Sequence, residues 1–345
     1  MIHQLPRNVR HLSINDAWDP ESFLYHVVDA LPHLMPQLHH IAFYVDATAV
    51  PAAGLDHLSH LRFLRSVHLR HDAQDLDHET AAAITKLCAL PDMRDIRLEL
   101  ENVGRFEPGA LYIVLTTCVA LVRSFRLLVY SGGDLDAEVR GAAQEWRRAP
   151  NHDLRDLRVS FGSTPFTDPT VAAVVDGMAA MSGLRSVGVG LCLQGCTAAG
   201  WASLARLPTA TLATSVGIQV EGPLTVEQLG WLLEPSATWG HLDCIRLKFL
   251  DCALKRAEIQ QLVAGLQRVP WRSTSRLELD LSLNKIDDVA ELELVAFLCA
   301  AKFKSALVAL NDMAGLFCHT LLCRILATYA PHVSVYSDRY LEMND

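Results

Sequence analysis

The sequence contains no apolar stretch of about 18 residues or more, so no segment has the length and hydropathy of a transmembrane helix. Its first residues, MIHQLPRNVRHLSIND, also lack the apolar run of a secretory signal peptide. None of its nine cysteines forms a CxxC pair, and several lie in apolar helical patterns as small core residues. That usage suits a reducing compartment, so we expect a cytoplasmic protein, with the nucleus as an alternative.

Positive charge is in deficit, because 30 lysines and arginines face 39 aspartates and glutamates, for a formal net charge of −9. A global charge of this sign repels phosphate backbones and anionic lipid surfaces. The composition therefore predicts neither nucleic acid nor a membrane surface as the partner of this chain.

Motifs that carry chemistry are also missing. There is no Gly-rich phosphate loop, no GxSxG sequence and no HExxH sequence. Cys192 and Cys196 are separated by three residues, and His57 and His60 could share one helix face, but neither pair is followed by further ligands at metal-site spacing. We therefore expect no enzyme activity, no cofactor and no metal site.

A short pattern recurs along the chain: an apolar residue, two variable residues, an apolar residue, one variable residue and an apolar residue. Matches start about every 29 residues, at Val9, Leu38, Leu64, Met93, Val122, Leu154, Leu184, Ala213, Leu242, Arg276, Lys304 and Ala330. The Arg276 match has a polar first position, and the Lys304 match is weak and could be shifted by one residue. A period in this range predicts one strand and one helix per repeat.

Helical patterns fill the intervals between these strands. Examples are the sets Leu111, Val114, Leu115, Cys118 and Leu322, Ile325, Leu326, Tyr329. Alternating strands and helices predict parallel strands with helical crossovers. A doubly wound sheet has the same alternation, but its strands are apolar on both faces, whereas here only every second residue is apolar. Thr225 and Gln228 have the spacing of a helix capping box.

The repeats resemble those of ribonuclease-inhibitor-like leucine-rich repeat proteins, and LELDLSLNKI at 277–286 is the best match. The resemblance covers nearly the whole chain. It implies an α/β leucine-rich-repeat solenoid, a horseshoe with parallel strands on the concave face and helices on the convex face, as a single domain over residues 1–345 with about twelve repeats. The family usually has Asn or Cys three residues after the third apolar position, and only Cys192 and Asn284 comply here.

The resemblance also implies a function in protein–protein recognition. We expect a non-catalytic scaffold that binds a protein partner on its concave face. The alternative is the substrate-recognition part of an F-box-type ubiquitin-ligase adaptor. Because the first repeat begins at Val9, an F-box would have to be missing from this chain or supplied by another one.

Candidate binding residues lie between the apolar strand positions, because strand side chains alternate between the two faces of a sheet. The middle position of successive strands holds His68, Arg97, Arg126, Arg158, Gly188, Gly217 and Arg246. The arginines suit an acidic or phosphorylated segment, since a guanidinium binds carboxylate or phosphate with two parallel hydrogen bonds. The glycines would form a trough where a partner backbone could approach closely.

A structural explanation of the same pattern competes with the functional one. Asp95, Glu99 and Asp156 lie close enough in the pattern to neutralise the arginines in an ion-pair lattice on the surface. A second arginine row follows the first apolar residue of successive repeats, and we interpret it as solvated charge typical of the family. It comprises Arg65, Arg94, Arg123, Arg155 and Arg185.

Overall fold

The computed structural model describes residues 9–16, 21–45, 52–72, 76–101, 106–130, 133–284, 286–310, 326, 328 and 330–336. The chain forms two compact units. Unit 1 comprises residues 1–164 and 176–184, and unit 2 comprises residues 165–175 and 185–345. In the described residues, no helix is both long enough and apolar enough to cross a membrane.

In unit 1 strands and helices alternate along the chain. The strands are β1 (His11–Asp16), β2 (His40–Val45), β3 (Ser66–Asp72), β4 (Asp95–Glu101), β5 (Ser124–Tyr130) and β6 (Asp156–Pro165, whose last residue falls in unit 2). The helices are α1 (Glu21–Leu34), α2 (Ala52–Leu58), α3 (His78–Cys88), α4 (Ala110–Leu121) and α5 (Asp136–Arg148). Helix α6 (Asp168–Ala180) is divided between the two units.

Unit 2 repeats the same alternation. Its strands are β7 (Ser186–Cys192), β8 (Ser215–Glu221), β9 (Cys244–Leu250), β10 (Arg276–Asp280), β11 (Ser305–Ala309) and β12 (Val333–Tyr336). Its helices are α7 (Ala198–Ala205), α8 (Leu207–Ala210), α9 (Val226–Leu233), α10 (Arg256–Gln267) and α11 (Asp288–Ala300), with a 3₁₀ helix at Glu234–His241. The predicted helix at 322–329 lies largely outside the described residues.

Within each unit the strands are parallel and follow chain order. This confirms the predicted parallel strands with helical crossovers. Alternate strand residues are buried against the helices, as Val67, Ile96, Phe125 and Leu157 show in successive strands of unit 1. The residues between them form the opposite surface of the sheet, which we call the open face. The prediction of a single domain over residues 1–345 stays a prediction.

Two strands of unit 2 have a register that differs from the predicted one. Arg276 pairs with Cys244 and Glu278 with Arg246, so the β10 repeat starts two residues earlier than the sequence match at Arg276. The leucines at 277, 279 and 281 alternate, and a shift of two residues keeps all three on the buried face, so their pattern does not distinguish the two registers. In β11 Ala306 and Val308 are buried and pair with Leu277 and Leu279, which is the one-residue shift that the weak match allowed.

Hydrogen bonds between neighbouring repeats hold the loops together. Glu138 of α5 accepts hydrogen bonds from the backbone N–H groups of Gly109, at 2.8 Å, and Tyr112, at 3.0 Å, at the start of α4. In unit 2 the buried Asn284 amide donates to the Phe249 carbonyl at 2.6 Å and accepts from the Leu254 N–H at 3.1 Å. Asn284 therefore joins its loop to the preceding repeat.

The predicted capping box at the start of α9 is confirmed. The Thr225 hydroxyl accepts a hydrogen bond from the Gln228 N–H at 3.3 Å, and the Gln228 side chain accepts one from the Thr225 N–H at 2.9 Å. Each bond satisfies a backbone donor that would otherwise lack a partner at the start of this helix.

Candidate functional site

The open face of unit 1 carries a row of basic side chains at the middle of its strands. Strand pairing aligns His68 of β3 with Arg97 of β4, Arg97 with Arg126 of β5, and Arg126 with Arg158 of β6. The sequence therefore placed these residues in the correct register. We call these four residues the mid-strand row.

Glu99 organises the first half of the mid-strand row. Its carboxylate lies 2.5 Å from Nη2 of Arg97, 3.1 Å from Nε2 of His68 and 3.9 Å from Nε of Arg70. Burial raises the pKa of Glu99, but the hydrogen bond from His68 and the charge of Arg97 outweigh it, so the pKa lies below its ordinary value. Glu99 is therefore a buried carboxylate that stays ionised and orients the basic groups around it.

Asp156 organises the second half of the row. One carboxylate oxygen accepts from Nε of Arg126 at 2.9 Å, and the other accepts from Nε of Arg158 at 3.2 Å. The Arg158 side chain is only 8% exposed, against 22% for Arg126. The arginines are thus held in fixed positions by shared carboxylates, as the ion-pair interpretation predicted.

The open face of unit 2 carries the predicted glycines and the fourth arginine. Gly188 of β7 pairs with Gly217 of β8, and Gly217 pairs with Arg246 of β9. Nε of Arg246 lies 2.5 Å from a Glu278 carboxylate oxygen, and Nη1 donates to the Ser215 hydroxyl at 2.9 Å. The Arg246 side chain therefore contacts Glu278 of β10 and Ser215 of β8, the strand that also carries Gly217.

This arrangement changes the interpretation of the predicted trough. Both Gly188 and Gly217 are buried rather than open to solvent. A Cβ atom at Gly217 would lie 3.6 Å from Cβ of Arg246 and 3.7 Å from Cα of Gly188, which is ordinary contact. Space alone therefore does not require glycine at 217, but the Arg246 side chain beside it means that the surface near Gly217 is not a bare backbone floor. The sequence did not reveal this, because the predicted register aligned Glu278 with Cys244, two residues away from Arg246.

The weaker metal candidates have other partners. Nδ1 of His57 lies 2.6 Å from an Asp29 carboxylate oxygen, and the thiol of Cys196 donates to the Phe166 carbonyl at 3.1 Å. Among the residues that the structure describes, no group of three or more His, Cys, Asp and Glu side chains is arranged to hold a metal ion.

Comparisons with known proteins are limited to the fold. No protein-family model matches the chain, and no curated protein sequence matches it. A chain in the crystal structure of the complex of Rad7 and Elc1 in yeast is similar, with a TM-score of 0.58 and 14% identity over 96% of this chain and 76% of that one. Human 5T4, a trophoblast glycoprotein, has a TM-score of 0.33 and 14% identity over 78% of this chain and 79% of that one. This structural similarity is too low to support a conclusion about the fold. The likeness to the Rad7–Elc1 structure and the parallel strand–helix units show that this chain has the leucine-rich-repeat fold.

Proposed function

We propose that this chain is a non-catalytic scaffold that binds a protein partner on the open face of unit 1. The observation that carries the proposal is the mid-strand row, in which strand pairing holds Arg97, Arg126 and Arg158 side by side. The similar structure contains Rad7 in a complex with Elc1, and a protein partner for this chain is consistent with that. The proposal also includes repeats of the ribonuclease-inhibitor type and a cytoplasmic location for the protein.

The partner contributes acidic or phosphorylated groups to this surface. Glu99 and Asp156 already orient the arginines, so little side-chain entropy remains to be lost when an anion binds. An incoming phosphate carries more charge and more acceptor oxygens than a carboxylate, which favours it over the resident carboxylates. In unit 2, Gly188, Gly217 and Arg246 stay a predicted contact surface, with Arg246 rather than bare glycine as the contacting group near Gly217.

Affinity capture with matched variants tests this proposal. The tagged protein and its Arg97→Ala/Arg126→Ala variant are used as bait in a lysate of the native cell, with one half of the lysate treated with phosphatase. These two arginines are 20% and 22% exposed, so their loss disturbs packing less than loss of Arg158. The control is Arg148→Ala on α5, where the side chain is 71% exposed.

Partners that the wild type and the control retain, and that the double variant loses, support the proposal. Equal recovery of all partners by the double variant contradicts it, provided that its circular dichroism spectrum is native. Loss after phosphatase treatment assigns the anion to phosphate. The ubiquitin-ligase adaptor hypothesis differs in one result: where the F-box is supplied by another chain, an F-box protein is among the captured partners.

A further inference from the structure

A second basic row in unit 1 lies one residue before the strands. The residue that precedes each strand from β1 to β6 is basic. These residues are Arg10, His39, Arg65, Arg94, Arg123 and Arg155, and we call them the pre-strand row. The backbone N–H of each of the last five donates to the carbonyl of the one before it, at 2.7 to 2.9 Å. The sheet hydrogen bonding therefore aligns the row along one edge of the sheet.

The side chains of the pre-strand row differ from those of the mid-strand row in their charge balance. Arg10, Arg94, Arg123 and Arg155 are exposed. Across the described residues, none of the row's arginines has a carboxylate within 4.0 Å, and Arg155 instead donates to the Gly183 carbonyl at 3.1 Å. By contrast, every arginine of the mid-strand row has a carboxylate partner.

Charge of one sign therefore accumulates along this edge of an acidic protein. Partial burial and the positive charges of Arg65 and Arg10 hold the pKa of His39 below its ordinary value, and Asp92 opposes them only in part. The corresponding positions before β7, β8 and β9 in unit 2 hold Arg185, Thr214 and Asp243, so the uniform sign is particular to unit 1. Arginines aligned about 4.8 Å apart repel one another unless an anion lies between them.

Exposed apolar side chains lie beside the row. Phe63, two residues before Arg65, is 46% exposed, and its ring centroid is 6.4 Å from that of His39. Leu121, two residues before Arg123, is 50% exposed. The surface thus offers a line of positive charge with apolar contacts at two points along it, a combination that suits a polypeptide with both acidic and apolar side chains.

We propose that the pre-strand row of unit 1 binds an acidic or phosphorylated protein segment that runs across the strands from β1 to β6. Five strand intervals span about 24 Å, a distance that about seven residues of extended chain would cover. The acidic remainder of the protein disfavours a long polyanion such as nucleic acid, whereas a short segment meets only the row. This inference rests on the proposed function, and it extends the anion-binding surface of unit 1 from the mid-strand row to the edge of the sheet.

Fluorescence anisotropy with defined probes tests the assignment. The probes are labelled oligoglutamate and phosphoserine peptides of about eight residues, sized to the row, and a single-stranded DNA of similar length. The test variant is Arg94→Glu/Arg123→Glu, which reverses two exposed charges without breaking an ion pair. The matched control is Arg147→Glu/Arg148→Glu on α5, where two exposed arginines undergo the same change in charge.

We expect the wild type and the control to bind an acidic peptide, with affinity that falls as salt rises. The test variant should bind about tenfold more weakly. Equal affinity of wild type and test variant would overturn the proposal, as would an equal loss in the control. If the DNA binds more tightly than either peptide and depends on Arg94 and Arg123, the row is a nucleic-acid surface and the proposal is wrong.

The partner captured in the affinity experiment separates this inference from the proposed function. If Arg94→Glu/Arg123→Glu keeps partners that Arg97→Ala/Arg126→Ala loses, the inference fails and the proposed function stands. If both variants lose the same partner, both are supported. If neither variant loses any partner, both are wrong for the partners captured.

Discussion

Replacing Arg158 with alanine is expected to destabilise unit 1 more than replacing Arg97. Arg158 is the most buried arginine of the mid-strand row, and its Nε donates to Asp156 at 3.2 Å. Its loss leaves Asp156, a carboxylate only 15% exposed, with Arg126 as its remaining guanidinium partner in that cluster. Arg97 is more exposed, and Glu99 keeps the hydrogen bond from His68 when Arg97 is removed.

The expected loss of stability depends on how deeply each ion pair is buried. Breaking a fully buried ion pair costs about 3–5 kcal/mol, and an exposed pair contributes about 0.2–1 kcal/mol. Asp156 retains Arg126, so we expect Arg158→Ala to lower the free energy of unfolding by about 2 kcal/mol, in the range for a hydrogen bond to a charged group. For Arg97→Ala we expect about 1 kcal/mol or less.

Urea unfolding followed by circular dichroism measures both values, and hydrogen exchange at Phe125 and Leu157 assigns the loss to β5 and β6. The double variant Arg158→Met/Asp156→Asn provides the control. Removing both charges avoids an uncompensated carboxylate, so this variant should regain most of the stability that Arg158→Ala loses. The reasoning is refuted if Arg158→Ala is no less stable than Arg97→Ala, or if the double variant recovers nothing.

Three further predictions concern stability. Asn284→Ala should lower the free energy of unfolding by about 2–3 kcal/mol, because the buried Phe249 carbonyl and a neighbouring N–H lose their partner; a loss under about 0.5 kcal/mol in urea unfolding would contradict this. Amide exchange at Leu12 should be faster than at Leu157, because Leu12 is partly exposed and Leu157 is fully buried; equal protection would disprove it. Acidification below about pH 6.5 should destabilise the β1–β2 end. Burial and two neighbouring histidines lower the pKa of His40, so the unfolded state binds a proton at this side chain at a higher pH than the folded state does. The unfolding temperature of His40→Asn should therefore fall less between about pH 7.5 and 5.5 than that of the wild type. An equal fall in both proteins would rule out His40 as the cause.

The fold of this chain could be predicted because its pattern is periodic and its strands expose one polar face. Apolar residues at Val67, Ile96 and Phe125 recur at one spacing, and a register fixed by one repeat carries to the next. The register of β10 could not be predicted in the same way, since Leu277, Leu279 and Leu281 alternate without a break. The structure resolves that ambiguity by pairing Arg276 with Cys244.

The candidate site was harder to predict than the fold. The repeat pattern gives the strand position that a residue occupies, but it does not show how far its side chain extends toward neighbouring strands. The glycines therefore predicted an open trough, whereas Arg246 reaches Ser215 beside Gly217. The sequence distinguished the two arginine rows only by their position in the repeat. They differ in carboxylate pairing, which depends on where Glu99 and Asp156 direct their oxygens.

The affinity of a captured and purified partner for three forms of the protein tests the central claim most directly. The forms are the wild type, Arg97→Ala/Arg126→Ala and the α5 control Arg148→Ala, compared by isothermal titration calorimetry. We predict that the double variant loses about 2–5 kcal/mol of binding free energy while the control binds as the wild type does. Unchanged affinity in a natively folded double variant would show that the mid-strand row is only an ion-pair lattice and that the partner binds elsewhere.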